Sequence, residues 1–375
     1  MNAADAPPAP TGYMSQLDAL RAFAVLGVVL HHFRMEFFGA DLGWLAAAGV
    51  RLFFVISGFL ITGILVRSRD RAEATGGGRG GALRRFYARR FLRIFPLYYF
   101  VVAVGIVFAV EPARRIAVWL LTYTFNLFMA HNGWFEANFA HFWSLAVEEQ
   151  FYVVWPWLLF LVPRKGLFPM ALAVTAAAPA WKLVYVLSGY TTATGLATFI
   201  STFACLDALG IGALLAMLRH RKSPAAAWEP RLRRIVIAAA AVVTALGAAD
   251  VWSDFTIVLS ATAQAVLFAW IVDAASRTTG GAAGAVLACR PLQYVGRISY
   301  GVYVYHPFVP AMLVWFGFAL PPAHRFEPPL LQSWGWFAVA TIVSLGLASV
   351  SWHAFEKPIN DLKRHFEEPP VPARP

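Results

Sequence analysis

Charged residues are scarce in this chain. Only 14% of its 375 residues are Asp, Glu, Lys or Arg, whereas 59% are hydrophobic and the mean hydropathy is +0.60. A typical soluble domain carries about 25% charged residues, so the composition argues against an ordinary soluble protein. We therefore expect the lipid bilayer to be the main solvent of the folded chain.

Cysteine is nearly absent as well. The two cysteines are Cys205, inside an apolar run, and Cys289, in a polar loop. Neither lies in the spacing typical of a disulfide framework or a zinc site, so no metal site is predicted. The glycine-rich segment TGGGRGG lacks the spacing of a phosphate-binding loop. The N-terminus lacks the basic start of a cleavable signal, so we expect the first apolar run to remain in the mature protein.

Long apolar runs are abundant instead. A helix that crosses the hydrocarbon core needs about 20 mostly apolar residues. Ten runs approach this length, near residues 17–33, 44–66, 91–110, 143–162, 167–187, 198–218, 235–251, 255–275, 298–319 and 333–355. A shorter apolar stretch, Trp119 to Met129, is predicted to be interfacial or re-entrant. The predicted fold class is all-α, a polytopic membrane helical bundle of about ten transmembrane helices.

The distribution of basic residues distinguishes nucleic-acid binding from basic cytoplasmic loops of a membrane protein. A net charge of +11 is compatible with nucleic-acid binding or with basic cytoplasmic loops. In an alternating ten-helix scheme, 24 of the 31 Lys and Arg residues lie on one face and 4 lie on the other. Cytoplasmic loops carry such an excess, so we expect both termini in the cytoplasm and no nucleic-acid partner.

The first predicted helix carries several ionisable side chains. Each such residue inside a membrane costs about 2.5–3.5 kcal/mol and calls for a partner or a task. Arg21 and His32 lie about 16 Å apart along the helix axis. Because they are close to three full turns apart, both side chains project from nearly the same side of the helix, and one cavity can receive both. An ion pair between Asp18 and Arg21 is an equal explanation for Arg21. Interfacial histidines are the plain alternative for His31 and His32.

Two later helices begin with ionisable clusters. Arg89, Arg90 and Arg93 either anchor the third helix at the cytoplasmic surface or hold phosphate groups. In the fourth helix, the adjacent Glu148 and Glu149 point about 100° apart, so we expect at most one to face a shared cavity directly. Polar residues also remain in later segments, at Asp207, His306 and Glu356.

Seven segments stand in order along the chain: LDALRAFAVLGVVLHH, GVRLFFVISGFLIT, RRFLRIFPLYY, FWSLAVEEQFYVVWP, LDALGIGALLA, GRISYGVYVYHP and FEKP. Together they resemble the acyltransferase 3 family of membrane acyltransferases. The resemblance implies an acyltransferase 3 membrane domain over residues 17–358. It leaves a disordered cytoplasmic N-terminus over 1–16 and a cytoplasmic tail over 359–375.

The resemblance also implies a reaction. Family members move an acyl group, most often acetyl, from cytoplasmic acyl-CoA to a glycan or glycolipid hydroxyl, in the bacterial inner membrane. O-antigen, exopolysaccharide, lipochito-oligosaccharide and macrolide sugars are typical acceptors. The essential arginine and histidine of the family's first helix map onto Arg21 and His32, and its RxxR pair maps onto Arg90 and Arg93. Arg51 is a departure, because many members carry an acidic residue at that position.

The residues and the resemblance together predict a mechanism. Histidine titrates near pH 6.5 and suits a general base, so we assign this role to His32, with Glu148 or Glu149 orienting its ring. Arg21 is a further candidate catalytic residue, which lies at the cytoplasmic face and can engage the phosphates of acyl-CoA together with Arg90 and Arg93. The predicted donor site is the arginine cluster, Arg89, Arg90 and Arg93. Acylation of His32 itself is an alternative chemistry. A secondary transporter of a glycan or small molecule and a non-catalytic subunit are alternative functions.

Overall fold

The chain is helical throughout the part that the structure describes. The computed structural model describes residues 13–33, 43–110, 112–133, 138–188, 197–220, 230–248, 254–277, 280–316 and 330–366, and no strand occurs within these ranges. The all-α prediction is therefore confirmed. Most of the predicted N-terminal tail over 1–16 lies outside the described residues, as do positions 367–375 of the predicted C-terminal tail.

Seventeen α-helices lie within these ranges. In chain order they are α1 Ser15–His32, α2 Gly43–Ala74, α3 Arg79–Val107, α4 Ala117–Leu121, α5 Phe125–Asn132, α6 Phe142–Leu161, α7 Arg164–Leu187, α8 Ala197–Ile200, α9 Thr202–His220, α10 Pro230–Ala248, α11 Asp254–Ala275, α12 Gly281–Leu287, α13 Arg290–Arg297, α14 Ser299–Tyr305, α15 Val309–Trp315, α16 Leu330–Ser351 and α17 Lys357–Asp361. A π-helical turn, Trp352–Glu356, joins α16 to α17, and a 3-10 turn, Leu362–Phe366, follows α17.

Six helical segments among the described residues are long and apolar enough to cross a membrane. They are Trp44–Ala74, Arg79–Val107, Arg164–Leu187, Ala197–His220, Val258–Ala275 and Trp334–Phe366. The chain is thus a multi-pass integral membrane protein.

Two predicted segments have a finer structure than their hydropathy indicated. The stretch from Trp119 to Met129 forms parts of α4 and α5, each too short to cross a bilayer. The run near 298–319 was predicted as one helix, but the described part consists of α14, a 3-10 turn at His306–Phe308 and α15. Pro307 and Pro310 lack the amide hydrogens that a continuous helix would need there.

Glycines bring α2 and α9 into close contact at the centre of the bundle. A Cβ atom at Gly58 would lie 2.0 Å from the Leu209 carbonyl oxygen, and one at Gly212 would lie 2.2 Å from the Val55 carbonyl oxygen. Small residues let helix backbones approach in this way where lipid offers no hydrophobic driving force. This contact fixes α2, which forms one wall of the site described below.

A buried ion cluster holds the helices behind this wall. The Asp207 carboxylate, fully buried in α9, accepts a hydrogen bond from Lys182 Nζ at 3.0 Å and lies 3.5 Å from Arg51 Nη1. Thr262 Oγ1 donates a further hydrogen bond to it at 2.8 Å. The cluster joins α2, α7, α9 and α11. Arg51 therefore helps to hold these helices together through Asp207.

Candidate active site

A narrow cavity of about 100 Å³ lies between α1, α2, α3, α6 and α14. We call it the central cavity. Its polar lining comes from five helices and consists of Arg21, Ser57, Arg90, Arg93, Ser144, Glu148, Glu149, Tyr152, Ser299, Tyr300 and Tyr303. The structure therefore brings together Arg21, both glutamates and two of the three predicted donor-site arginines. Their charges are mixed, as a polar reaction chamber requires.

Arg21 both forms the predicted ion pair and faces the cavity. Its Nη1 atom donates a hydrogen bond to Asp18 Oδ1 at 3.1 Å, and the Tyr13 hydroxyl donates another to the same carboxylate. Burial raises the pKa of the Tyr13 phenol, and the hydrogen bond to Asp18 raises it further. The two explanations offered for Arg21 are thus compatible, because the ion pair holds its guanidinium at the cavity wall.

The paired carboxylates occupy different environments. Ser57 Oγ donates a hydrogen bond to Glu148 Oε1 at 2.6 Å. Glu149 is 6% exposed, and its Oε1 atom has no hydrogen-bond partner among the described residues. Both side chains line the central cavity, so the prediction that only one would face it was wrong. A difference of about 100° in direction still leaves both on the cavity side of α6.

The arginine cluster lies where the central cavity meets a second one. This basic cavity, of about 500 Å³, is lined by Arg89, Arg90 and Arg93 and shares Arg21, Ser57, Arg90 and Arg93 with the central cavity. The Arg90 guanidinium lies 4.3 Å from the centre of the Tyr152 ring, and that of Arg93 lies 4.9 Å from the Trp352 ring. Aromatic faces hold both groups in place without neutralising them.

His32 lies at the C-terminal end of α1, beyond the residues that line the central cavity. Its Nδ1 atom is 2.9 Å from the Val28 carbonyl oxygen. Because a carbonyl only accepts, Nδ1 carries the proton and Nε2 keeps a free lone pair. Neither Glu148 nor Glu149 hydrogen-bonds His32 within the described residues. The expected carboxylate is thus replaced by a backbone carbonyl as the group that orients the ring.

Two histidines that sequence reasoning left outside the site extend from His32, because His306 lies against His32 and His141 lies against His306. The His306 ring centre lies 4.9 Å from that of His32, and His141 lies 5.3 Å from His306. His306 Nδ1 donates to the Val302 carbonyl oxygen at 3.1 Å, whereas its Nε2 has no partner among the described residues. We call His32, His141 and His306 the histidine layer.

Hydroxyl groups join the histidine layer to the central cavity. Tyr303 lines that cavity, and its hydroxyl donates to the His141 carbonyl oxygen at 3.0 Å. The same hydroxyl lies 2.5 Å from Ser144 Oγ, which also lines the cavity. The only sequence signal for this arrangement was polar residues in the segments HFWSLAVEEQ and GRISYGVYVYHP. Within the described ranges, no group of three or more His, Cys, Asp or Glu side chains is arranged to hold a metal ion.

These features lie within one known domain. The family model described as an acyltransferase domain matches residues 14–353. The chain belongs to this family, acyltransferase 3, and is a multi-pass integral membrane protein.

Curated relatives extend the comparison. YrhL of Bacillus subtilis strain 168, named as a candidate peptidoglycan O-acetyltransferase, is 29% identical over 92% of this chain and 55% of its own length. The peptidoglycan O-acetyltransferase OatA of Listeria monocytogenes is 26% identical over 78% of this chain and 49% of its own. The O-acetyltransferase OatA of Staphylococcus aureus is 33% identical over 40% of this chain and 26% of its own. The chain thus spans about half the length of the first two relatives. No solved structure matches it.

Proposed function

We propose that this protein transfers an acetyl group from acetyl-CoA to a hydroxyl of a cell-surface or lipid-linked glycan. The observation that carries the proposal is a pair of cavities in an acyltransferase domain that share Arg90 and Arg93, together with a histidine, His32, whose Nδ1 contact leaves Nε2 as the basic atom. The names of the relatives favour acetyl as the acyl group and peptidoglycan as one acceptor to test.

The donor enters through the basic cavity in this proposal. Guanidinium groups bind phosphate oxygens through paired hydrogen bonds, so Arg89, Arg90 and Arg93 hold the phosphates of acetyl-CoA. The thioester arm then extends past Arg90 and Arg93, which line both cavities, into the central cavity. The acceptor hydroxyl approaches from the side of the histidine layer.

His32 is the general base. Its Nε2 atom takes the proton of the acceptor hydroxyl while the hydroxyl oxygen attacks the thioester carbonyl carbon. The resulting tetrahedral oxyanion collapses, the carbon–sulfur bond breaks, and the CoA thiolate takes the proton back from the imidazolium. Arg21, which lines both cavities with Arg90 and Arg93, helps to hold the anionic donor by its positive charge. Glu148, bonded by Ser57, and Glu149 supply negative charge that offsets the guanidinium groups of the cavity.

Release of free thiol from acetyl-CoA tests this function. Purified protein in nanodiscs is supplied with acetyl-CoA and a peptidoglycan or lipid-linked glycan acceptor. We expect acceptor-dependent release, lowered about 100-fold or more in His32→Ala because a general base contributes about that factor. His353→Ala is the matched control, since this exposed histidine also bonds the carbonyl four residues before it. Full release by His32→Ala contradicts the assignment of the base, and no release from the wild type with any acyl-CoA favours a transporter.

A further inference from the structure

The segment that follows the family domain forms part of the basic cavity. The family match ends at residue 353, whereas α17 and the turn after it lie beyond that position. Lys357, Asn360, Asp361 and Lys363 nevertheless line the basic cavity, together with the three arginines of α3. This C-terminal segment, 357–366, is thus a wall of a cavity whose opposite side lies within the family domain.

Contacts with α3 hold the C-terminal segment in place. Arg89 Nη1 donates a hydrogen bond to the Phe366 carbonyl oxygen at 3.2 Å, which fixes the far end of the segment. Ser351 Oγ donates to Glu356 Oε1 at 2.9 Å at the near end. Because both ends are bonded within the bundle, the lysines between them have defined positions at the cavity.

The charge of the basic cavity is strongly unbalanced. Its lining contains seven cationic side chains, Arg21, Arg89, Arg90, Arg93, Arg297, Lys357 and Lys363, and two acidic ones, Asp18 and Asp361. Asp18 bonds Arg21 at 3.1 Å and Asp361 bonds Lys357 at 2.7 Å, so both acids are already paired. The cations exceed the acids by five, which calls for a ligand with several negative charges.

The cations of the basic cavity differ in whether they also line the central cavity. Arg21, Arg90 and Arg93 line both cavities, whereas Arg297, Lys357 and Lys363 line only the basic one. The second group therefore lies outside the lining of the central cavity. In CoA, the phosphate most remote from the thioester is the monoester on the ribose 3′ oxygen, which carries up to two negative charges at neutral pH.

We propose that Arg297, Lys357 and Lys363 form a subsite for the ribose 3′-phosphate of the donor. The subsite rests on the proposed function, because it assumes a CoA thioester as the donor. The C-terminal segment thereby belongs to the donor site and distinguishes CoA from carriers without the 3′-phosphate. An anionic lipid headgroup offers the same phosphate chemistry, so the test separates the two sources.

Equilibrium binding of CoA and of 3′-dephospho-CoA tests the subsite without any turnover. We expect the wild-type protein, in nanodiscs of neutral lipid, to bind CoA at least tenfold more tightly. In Lys363→Gln the affinity for CoA falls about fivefold, as for one lost ion pair at a solvated site, while the affinity for 3′-dephospho-CoA stays the same. Arg364→Gln is the matched control, because Arg364 is the neighbouring cation and lies outside the cavity lining.

Two results overturn the subsite. One is equal binding of CoA and 3′-dephospho-CoA by the wild type, or equal weakening of both by Lys363→Gln. The other is a Lys363→Gln effect that appears only in nanodiscs with anionic lipid, which assigns the subsite to a headgroup. Failure of the proposed function has a different signature: CoA binds with the expected discrimination, and yet acetyl-CoA releases no free thiol in the presence of acceptor.

Discussion

The proton on His32 is placed by the helix that carries the residue. The Val28 carbonyl, one turn earlier in α1, accepts the Nδ1 hydrogen bond at 2.9 Å. In the bilayer interior a lost backbone hydrogen bond is costly, so the neutral ring keeps one tautomer and leaves Nε2 as the basic atom. The His306 ring lies against that of His32, and Phe33 lies against His306. These rings restrict the space around His32.

Glu148 offers a test of the charge balance in the central cavity. Glu148→Gln keeps the shape of the side chain but removes its negative charge from the chamber. We expect thiol release to fall about tenfold or more, because the central cavity loses a negative charge that offsets the positive charges of Arg21 and Arg90. Glu73→Gln, at an exposed carboxylate bonded to Arg69 and Arg164, is the control and keeps full activity. An active Glu148→Gln protein removes the glutamate from the mechanism.

Some of this site is predictable from single residues and some is not. The spacing of Arg21 and His32 predicts a common side of one helix, but Arg21 lines the central cavity and His32 does not. The partner of Glu148 lies 91 positions earlier in the chain, at Ser57. The proximity of His306 to His32 likewise depends on how α14 packs against α1. Such contacts depend on tertiary packing, which hydropathy and residue spacing do not predict.

At the scale of helices, the contact between α2 and α9 decides whether the cavity wall is in place. We expect Gly212→Leu to lower the melting temperature markedly, because a Cβ atom there lies 2.2 Å from the Val55 oxygen and 2.8 Å from the Phe59 nitrogen. Backbone atoms cannot rotate away, and overpacking costs about 1–3 kcal/mol or more. Gly346→Leu is the control, since nothing lies within 4 Å of a Cβ atom at that position. Equal melting temperatures for the two variants would refute the close contact.

The ion cluster around Asp207 gives a second test at this scale. Lys182→Met leaves Asp207 with less compensation in the bilayer interior, and breaking a buried pair typically costs about 3–5 kcal/mol. We expect a lower melting temperature for Lys182→Met and a partial recovery in the double variant Lys182→Met with Asp207→Asn. Thermal unfolding followed by tryptophan fluorescence measures both. No recovery in the double variant would mean that the loss comes from packing and not from charge.

Long apolar runs correctly predicted helical structure. They did not predict whether a helix would be continuous. The run near 298–319 has the hydropathy of one membrane helix, but prolines divide its described part at His306–Phe308. The break places His306 at a turn, where its ring reaches His32. A hydropathy pattern averages over such a turn, because a single proline changes the backbone more than it changes the mean hydropathy.

For the whole molecule, the distribution of basic residues predicts which face is cytoplasmic. Cys289 is exposed at the start of α13, in a segment assigned to the cytoplasm, whereas Cys205 is buried in α9. We expect a membrane-impermeant maleimide to label Cys289 in inverted vesicles and not in intact cells. Cys289→Ser abolishes the labelling, because Cys205 is inaccessible. Labelling from outside the cell would reverse the predicted orientation.

Under the same orientation, the acyl donor and the glycan acceptor reach the site from opposite faces of the membrane. The basic cavity adjoins the N-terminal part of α3, and the histidine layer lies at the C-terminal end of α1. Under the predicted topology the first faces the cytoplasm and the second lies toward the outer surface. A donor made inside the cell and a glycan outside it would then meet in the central cavity.

The most direct test of the central claim follows the acetyl group itself. Proteoliposomes containing the wild-type protein or His32→Ala receive acetyl-CoA labelled in the acetyl group, together with the glycan acceptor. We predict that the wild type forms one ester-linked labelled acetyl group on the glycan for each free thiol released, and that His32→Ala forms none above background. Label found only as free acetate, or glycan moved across the membrane without label, would contradict the proposed acyl transfer.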